Sequence, residues 1–276
     1  MPVRIRFGTL RDKAGLATMC RRAVGPEDYV LELLRPALRR GGVLLAVDGK
    51  RVVGMMNTVD CLGGGLWLSM ARTDPDYRRK GVASALLERA VREGKVRGHR
   101  QVRLWSNADN PAGNATARAN GFREVGRFFG ALHDPAKGRL LSHVAYDAAA
   151  VWELTRDSPL VAGGGGYIHL EWSFLPYTRG IAEEIVERGW VRTLGESVLA
   201  CRSEEHFEAL DWLEFTILAG NVTTALREGS RLAGFRGAGG AFTYLPQLPA
   251  HHRSARAAEY RVVPWATDAV LFEKGI

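Results

Sequence analysis

Apolar residues recur along this chain with two periods, one fitting strands and one fitting helices. Val3–Phe7 alternates as a strand does. Leu10–Ala23 follows at helical spacing, with Thr9 placed to cap it and Asp12 in its first turn. Pro26–Arg40 predicts a second helix, ended by Gly41-Gly42. Val43–Val47 and Arg51–Asp60 flank Asp48-Gly49, the dipeptide of a tight hairpin. Gly63-Gly64-Gly65 turns the chain into a strand, Leu66–Thr73. Val82–Arg97 is the clearest helix: Val82, Ala83, Leu86, Leu87, Ala90 and Val91 share one face. A strand over Gln101–Ser106, a short helix over Asn114–Asn120 and a strand over Phe122–Phe129 complete the first half.

The second half repeats the alternation. A helix over Ala148–Thr155, capped by Asp147, leads to Pro159 and to the glycine run Gly163–Gly166, which predicts a linker. Tyr167–Phe174 then reads as a strand and Thr178–Arg188 as a helix. Strands are expected at Trp190–Thr193, Val198–Arg202, Asp211–Leu218, Phe242–Leu245, Tyr260–Trp265 and Ala269–Glu273, with helices at Thr223–Leu232 and Ala250–Ala258. The expected fold class is α/β with a mixed α+β sheet. The expected division is a first domain over 1–147, a linker helix and Gly-rich loop over 148–166, and a second, smaller domain over 167–276.

Composition narrows the function classes. At 276 residues, with 46% hydrophobic and 25% charged residues, the chain suits a globular protein of two modest domains. No apolar run approaches the roughly 20 residues of a membrane helix, and no signal core opens the sequence, so a cytoplasmic protein without a membrane partner is expected. Three scattered cysteines, Cys20, Cys61 and Cys201, make neither a metal cluster nor a disulfide framework, so no metal is expected. The net charge of +8 comes almost wholly from arginine. The arginines are dispersed and no aromatic-basic module accompanies them, which weighs against nucleic acid and favours an anionic small-molecule cofactor.

The chemistry concentrates in Thr73–Ser84. A strand ends, Asp74-Pro75 breaks it, and Arg78, Arg79 and Lys80 precede Gly81, which opens a helix. The first N–H groups of a helix have no partner inside it. With the helix dipole they form an anion site. Glycine lets a ligand reach the backbone. Flanking cations contribute charged hydrogen bonds worth about 1.5–3 kcal/mol each. The sum suits a diphosphate better than a single carboxylate.

Arg78-Arg79-Lys80-Gly81-Val82-Ala83 resembles the Arg/Gln-x-x-Gly-x-Gly/Ala signature of the GNAT superfamily of N-acetyltransferases. Asn110 and Gly121-Phe122 are similar to that family's second coenzyme-contacting segment. The resemblance covers about residues 3–130. It implies a GNAT fold whose central strands splay apart, and acetyl-CoA as co-substrate. Backbone groups at Ala71, Arg72 and Thr73 would pair with the pantetheine arm. Arg78, Arg79, Lys80, Gly81, Val82, Ala83 and Ser84 would hold the pyrophosphate, and Asn110 would touch the cofactor. A backbone N–H near Ala71 would polarise the thioester, and a primary amine, that of a small molecule by analogy with tandem members, would attack directly.

Two departures accompany the resemblance. Where many members carry an acidic tyrosine, this chain has Ala117. No carboxylate or histidine lies on Leu66–Thr73, so the base is sought at Glu27, Asp28 or Asp60. These departures keep open a second reading, a non-catalytic acyl-CoA sensor. The C-terminal half resembles a degenerate GNAT-like domain by element order. Its corresponding junction, Ile217–Thr223, lacks the arginine pair, so its expected role is to cover the acceptor groove or to form a homodimer.

Overall fold

The computed structural model describes residues 3–202 and 211–276. The chain divides into two compact units. The first comprises residues up to Trp105, with Pro111–Arg123 and Phe272–Ile276; the second comprises Ser106–Asn110 and Glu124–Leu271.

The first unit runs β1 (Arg4–Phe7), α1 (Lys13–Ala23), α2 (Val30–Arg40), β2 (Val43–Asp48), β3 (Arg51–Cys61), β4 (Gly65–Thr73), α3 (Val82–Val96), β5 (Gln101–Asn107) up to Trp105, and α4 (Pro111–Ala119). The strands lie in the order β1-β2-β3-β4-β5. The first three contacts are antiparallel and β4–β5 is parallel, which gives the mixed sheet the sequence implied. Thr9 and Asp12 form a reciprocal capping box ahead of α1. Gly41 ends α2 in the left-handed conformation. The helices α1 and α2 bury Leu16, Met19, Val30 and Leu34 against Val43, Leu45 and Met55. The helix α3 buries Val82, Leu86, Leu87 and Ala90. Each fully buried leucine there contributes about 1.5–3 kcal/mol. The helix starts close to the sheet because Gly54 on β3 has no Cβ: one would lie 2.6 Å from Val82 Cγ1.

The second unit contains most of β6 (Arg123–His133), then α5 (Ala148–Thr155), α6 (Pro159–Gly163), β7 (Tyr167–Leu170), β8 (Ser173–Pro176), α7 (Arg179–Glu187), β9 (Val191–Leu194), β10 (Ser197–Ala200), β11 (Trp212–Glu214), β12 (Thr216–Ala219), α8 (Val222–Phe235), β13 (Gly240–Pro246), α9 (Pro249–Ala257), β14 (Arg261–Val262) and the first part of β15 (Ala269–Gly275). Its core includes Phe129, Leu199, Phe215, Leu226, Leu245 and Tyr260.

Two strand expectations need correction, and the glycine run packs closely. The glycine run lies inside the second unit, where it provides close packing: a Cβ on Gly165 would sit 2.3 Å from the Val125 carbonyl oxygen, and Gly164 meets the Phe128 ring. Tyr167–Phe174 is not one strand, because Glu171 and Trp172 adopt left-handed φ of 52° and 56° and turn the chain into the hairpin β7–β8. Asp211–Leu218 breaks at Phe215, and its two halves join different sheets. Alternation of apolar residues marks strand content, but does not reveal which sheet takes each half.

Candidate functional site

The site is built on β4 and the connection from it to α3. Parallel pairing of β4 with β5 covers Gly65↔Gln101, Leu66↔Val102 and Trp67↔Arg103. From Leu68 onward the residues that β4 pairs lie on β3 alone among the described residues. The last residue of β5 that pairs with β4, Arg103, is 1% exposed and is held by Glu273 at 3.1 Å and Gln101 at 2.9 Å. Gly65 makes room for it: a Cβ there would lie 2.4 Å from Arg103 Nη2. The splay expected between these strands is therefore present. Trp67 is 3% exposed and belongs to the core.

On its other side β4 bulges. Met55 pairs with Arg72 and Asn57 with Ser69, so Met56 faces both Met70 and Ala71. Met70 has φ of 55°, in the left-handed region that a methionine rarely enters. Such strain costs on the order of 1–3 kcal/mol and persists only where the surroundings enforce it. A bulge also takes backbone groups out of the ladder and re-aims them. Ala71 is exposed, and its carbonyl accepts from Arg72 Nη1 at 3.0 Å.

The connection 74–81 is anchored from below. Asp74, 1% exposed, accepts the Asp76 N–H at 3.1 Å, Arg22 Nε at 3.2 Å and Arg51 Nη2 at 2.9 Å. Burial pushes its pKa up, but the Arg51, Asp76 and Arg22 hydrogen bonds outweigh burial and hold it below the usual carboxylate range. Arg22 and Arg51 also reach Asp76, at 2.8 and 2.9 Å. Tyr77 donates to Asp48 at 2.7 Å, and Lys80 Nζ lies 5.2 Å from the Tyr77 ring centroid. Arg78 donates to the Ala23 carbonyl at 2.8 Å and so caps the C-terminus of α1.

Above these anchors the backbone is open. Arg79 and Gly81 have φ of 59° and 78°. Gly81 is the N-cap of α3 and offers no side-chain acceptor; the first helical bond runs from Ala85 N–H to its carbonyl at 2.9 Å. The N–H groups of Val82, Ala83 and Ser84 donate to no acceptor among the described residues. A Cβ on Gly81 would meet nothing within 4 Å. Arg78, Arg79, Lys80 and Gly81 are exposed, and Ser84 Oγ accepts from Asn120 Nδ2 at 3.1 Å. Free helix N–H groups, a dipole and three cations thus share one surface, a combination that receives phosphate groups.

The other sequence candidates lie elsewhere. Asn110 falls in the second unit, where its side chain donates to Ser106 at 3.1 Å. Asp60 faces Leu66, five residues along β4 from Ala71, or about 16 Å at the strand rise. It meets Arg97 Nη1 at 3.1 Å and His99 Nε2 at 2.8 Å. Glu27 is exposed in the connection between α1 and α2, while Asp28 beside it is buried against Arg72. Ala117 is 1% exposed, on the buried face of α4. The part played by Asp74 had a sequence signal: an acidic residue before proline is an N-cap followed by N1. Nothing in the sequence brings Arg22, Arg51 and Asp48 to this loop.

Residues 16–122 match the model of the acetyltransferase (GNAT) family. The chain thus carries a GNAT acetyltransferase domain over that stretch, most of which falls in the first unit. A mycothiol acetyltransferase from Mycobacterium sp. (strain JLS) is 29% identical over 118 residues, which is 43% of this chain and 38% of that protein. The chain thus spans well under half the length of that relative in the match. Among solved structures, a GCN5-related N-acetyltransferase from Sphaerobacter thermophilus aligns over 99% of this chain and 95% of its own at TM-score 0.62 and 13% identity. Another from Kribbella flavida aligns over 99% and 72% at TM-score 0.52 and 17% identity. At these identities the likeness shows the fold. No helix among the described residues is long and apolar enough to cross a membrane.

Proposed function

We propose that the first unit binds acetyl-CoA, with the pyrophosphate on Arg78–Ser84 and the pantetheine arm along Ala71–Thr73, and transfers the acetyl group to a primary amine of a small molecule. The observation that carries this reading is the uncapped start of α3, whose N–H groups stand free beside three basic residues. The unpaired edge of β4 beyond Trp67 supports the placement of the arm. The relative named for mycothiol supports a small acceptor.

In this reading the amine nitrogen attacks the thioester carbon, and a backbone N–H at the Met70–Ala71 bulge donates to the oxygen as it gains charge. The carbon–sulfur bond then breaks. The sulfur leaves as thiolate, which a free thiol pKa of about 8.5 permits without a strong acid. The amine's extra proton passes to solvent or to a carboxylate. Of the candidates, Glu27 fits better than Asp60, because its neighbour Asp28 is bonded to Arg72 whereas Asp60 lies along β4 in the other direction.

A buried alanine where the family often has tyrosine supports the second reading, an acyl-CoA sensor. Mixing the protein with acetyl-CoA and a panel of amines, and following free thiol, separates the two. We expect thiol release with small amines. Tight CoA binding without turnover across the panel would favour the sensor. No calorimetric binding of CoA or acetyl-CoA would overturn both.

A further inference from the structure

The α1–α2 connection is tied to β4 by one ion pair. Arg72 Nε and Nη2 donate to the two carboxylate oxygens of Asp28 at 2.9 and 2.8 Å. The Asp28 side chain is 0% exposed and that of Arg72 17%. Asp28 also accepts the Val30 N–H at 3.2 Å, which fixes it at the head of α2. The third arm of the guanidinium, Nη1, donates to the Ala71 carbonyl. The Tyr29 ring lies 5.3 Å from Arg72 Cζ, and the tyrosine is itself 53% exposed.

These contacts converge on the strained part of β4. Met70 is held at positive φ, and a strained bulge needs neighbours that over-determine it. The planar fork of arginine suits that task, since it meets a carboxylate at two points while a third N–H stays available. Holding the Ala71 carbonyl fixes the Ala71–Arg72 peptide plane, and so restrains the rotation of the adjoining Met70–Ala71 plane that carries the Ala71 N–H.

We infer that Asp28 and Arg72 are positioning residues: together they clasp the β4 bulge and aim its backbone N–H at the acyl carbonyl. This inference rests on the reading that acetyl-CoA lies along β4. Neither side chain touches the reacting atoms. Both act through the backbone of Ala71.

The test uses the full chain and acetyl-CoA labelled with carbon-13 at the carbonyl. A hydrogen bond to that oxygen moves its resonance downfield on binding. Removing only one partner leaves a buried charge and risks misfolding, so Asp28→Asn/Arg72→Met, which removes both charges, accompanies Asp28→Asn. In the double variant we expect CoA affinity to hold while the bound carbonyl resonance returns toward its free position. With a turned-over amine, kcat should fall roughly 10- to 100-fold at unchanged KM for acetyl-CoA, the scale of a misaimed donor. Arg72→Lys keeps the charge without the fork and should lose the carbonyl shift as well. A double variant that keeps the wild-type resonance would overturn the clasp while leaving the acetyl-CoA reading intact. Failure of the wild-type protein to bind acetyl-CoA would overturn that reading, and the clasp with it.

Discussion

Two strand-to-helix junctions, one in each unit, begin helices of similar length and end them differently at the N-terminus. Between β4 and α3 lie eight residues, 74–81; between β12 and α8 lie two, Gly220 and Asn221. The short junction closes itself. Asn221 Oδ1 accepts the Thr224 N–H at 3.0 Å, and a Cβ on Gly220 would strike the Glu196 carbonyl at 2.5 Å. The long junction stays open, because Gly81 has no side chain to turn back and the basic run Arg78-Arg79-Lys80 precedes it. A helix start capped by its own asparagine has a donor already satisfied, whereas an uncapped one has donors to offer a ligand. The same local topology thus supports a structural turn in one unit and a proposed anion site in the other.

The strongest way to break this comparison is to occupy the open site. Gly81→Glu places a carboxylate where the pyrophosphate is proposed to lie. Nothing stands within 4 Å of the new Cβ, so the fold should survive the substitution. The left-handed φ of 78° adds a penalty on the order of 1 kcal/mol. We expect CoA affinity to fall at least about 100-fold, or roughly 2.7 kcal/mol. Gly81→Ala, which carries the strain without the charge, should cost far less. Calorimetric affinity equal to wild type in Gly81→Glu would place the site elsewhere.

Undermining the open junction from below is expected to have the next largest effect. Asp74→Asn leaves Arg22 and Arg51 facing a neutral amide. Both arginines are about half exposed, so the loss should be about 1–3 kcal/mol of stability and no more. The sign with pH follows from the depressed pKa of Asp74. Its stabilisation is complete above the unfolded carboxylate value, near pH 4, and is lost as pH falls through the folded value. Denaturant unfolding at pH 7 and at successively lower pH should show a steep acid limb in wild type and a shallower one in Asp74→Asn. Equal slopes would remove Asp74 from the account.

Arg78→Ala tests the cations above the anchor. The guanidinium donates to Ala23 when no ligand is bound, so part of its effect falls on the end of α1. CoA affinity should drop about tenfold, or roughly 1.4 kcal/mol, close to the low end for one charged hydrogen bond. Titration at two salt concentrations should show a weaker salt dependence in the variant than in wild type.

Most of what the open junction needs is local, and so was legible in the sequence. Gly81, the three basic residues and the helical face from Val82 to Val91 are contiguous, and their spacing alone implies exposed helix N–H groups. The hairpin at Asp48-Gly49 and the cap at Asp147 were legible for the same reason. Contacts that join distant segments were not. The Arg22 and Arg51 grip on Asp74, the Asp28–Arg72 pair and the burial of Arg103 all depend on which strands become neighbours. Dispersed arginines carry no local signal for burial either, although Arg103 is 1% exposed. The glycine run is ambiguous for a related reason: glycine marks flexible linkers and close backbone packing alike, and the approach of Gly165 to Val125 is visible only in the fold.

The smallest expected effect sharpens the comparison from the closed side. Asn221→Ala removes the acceptor that satisfies Thr224 N–H at the start of α8. Loss of an N-cap typically costs about 1 kcal/mol, and here it should lower the stability of the second unit by that much. It also frees a helix start, yet no cation lies in Ile217–Thr223 to reinforce it. The dipole alone supplies at most about 1 kcal/mol. Asn221→Ala should therefore melt earlier and leave both the affinity and the stoichiometry of CoA binding as in wild type. A second CoA bound by this variant would mean that an uncapped helix start suffices without the arginines. The difference between the junctions would then lie in the cap alone, and not in the charge that precedes Gly81.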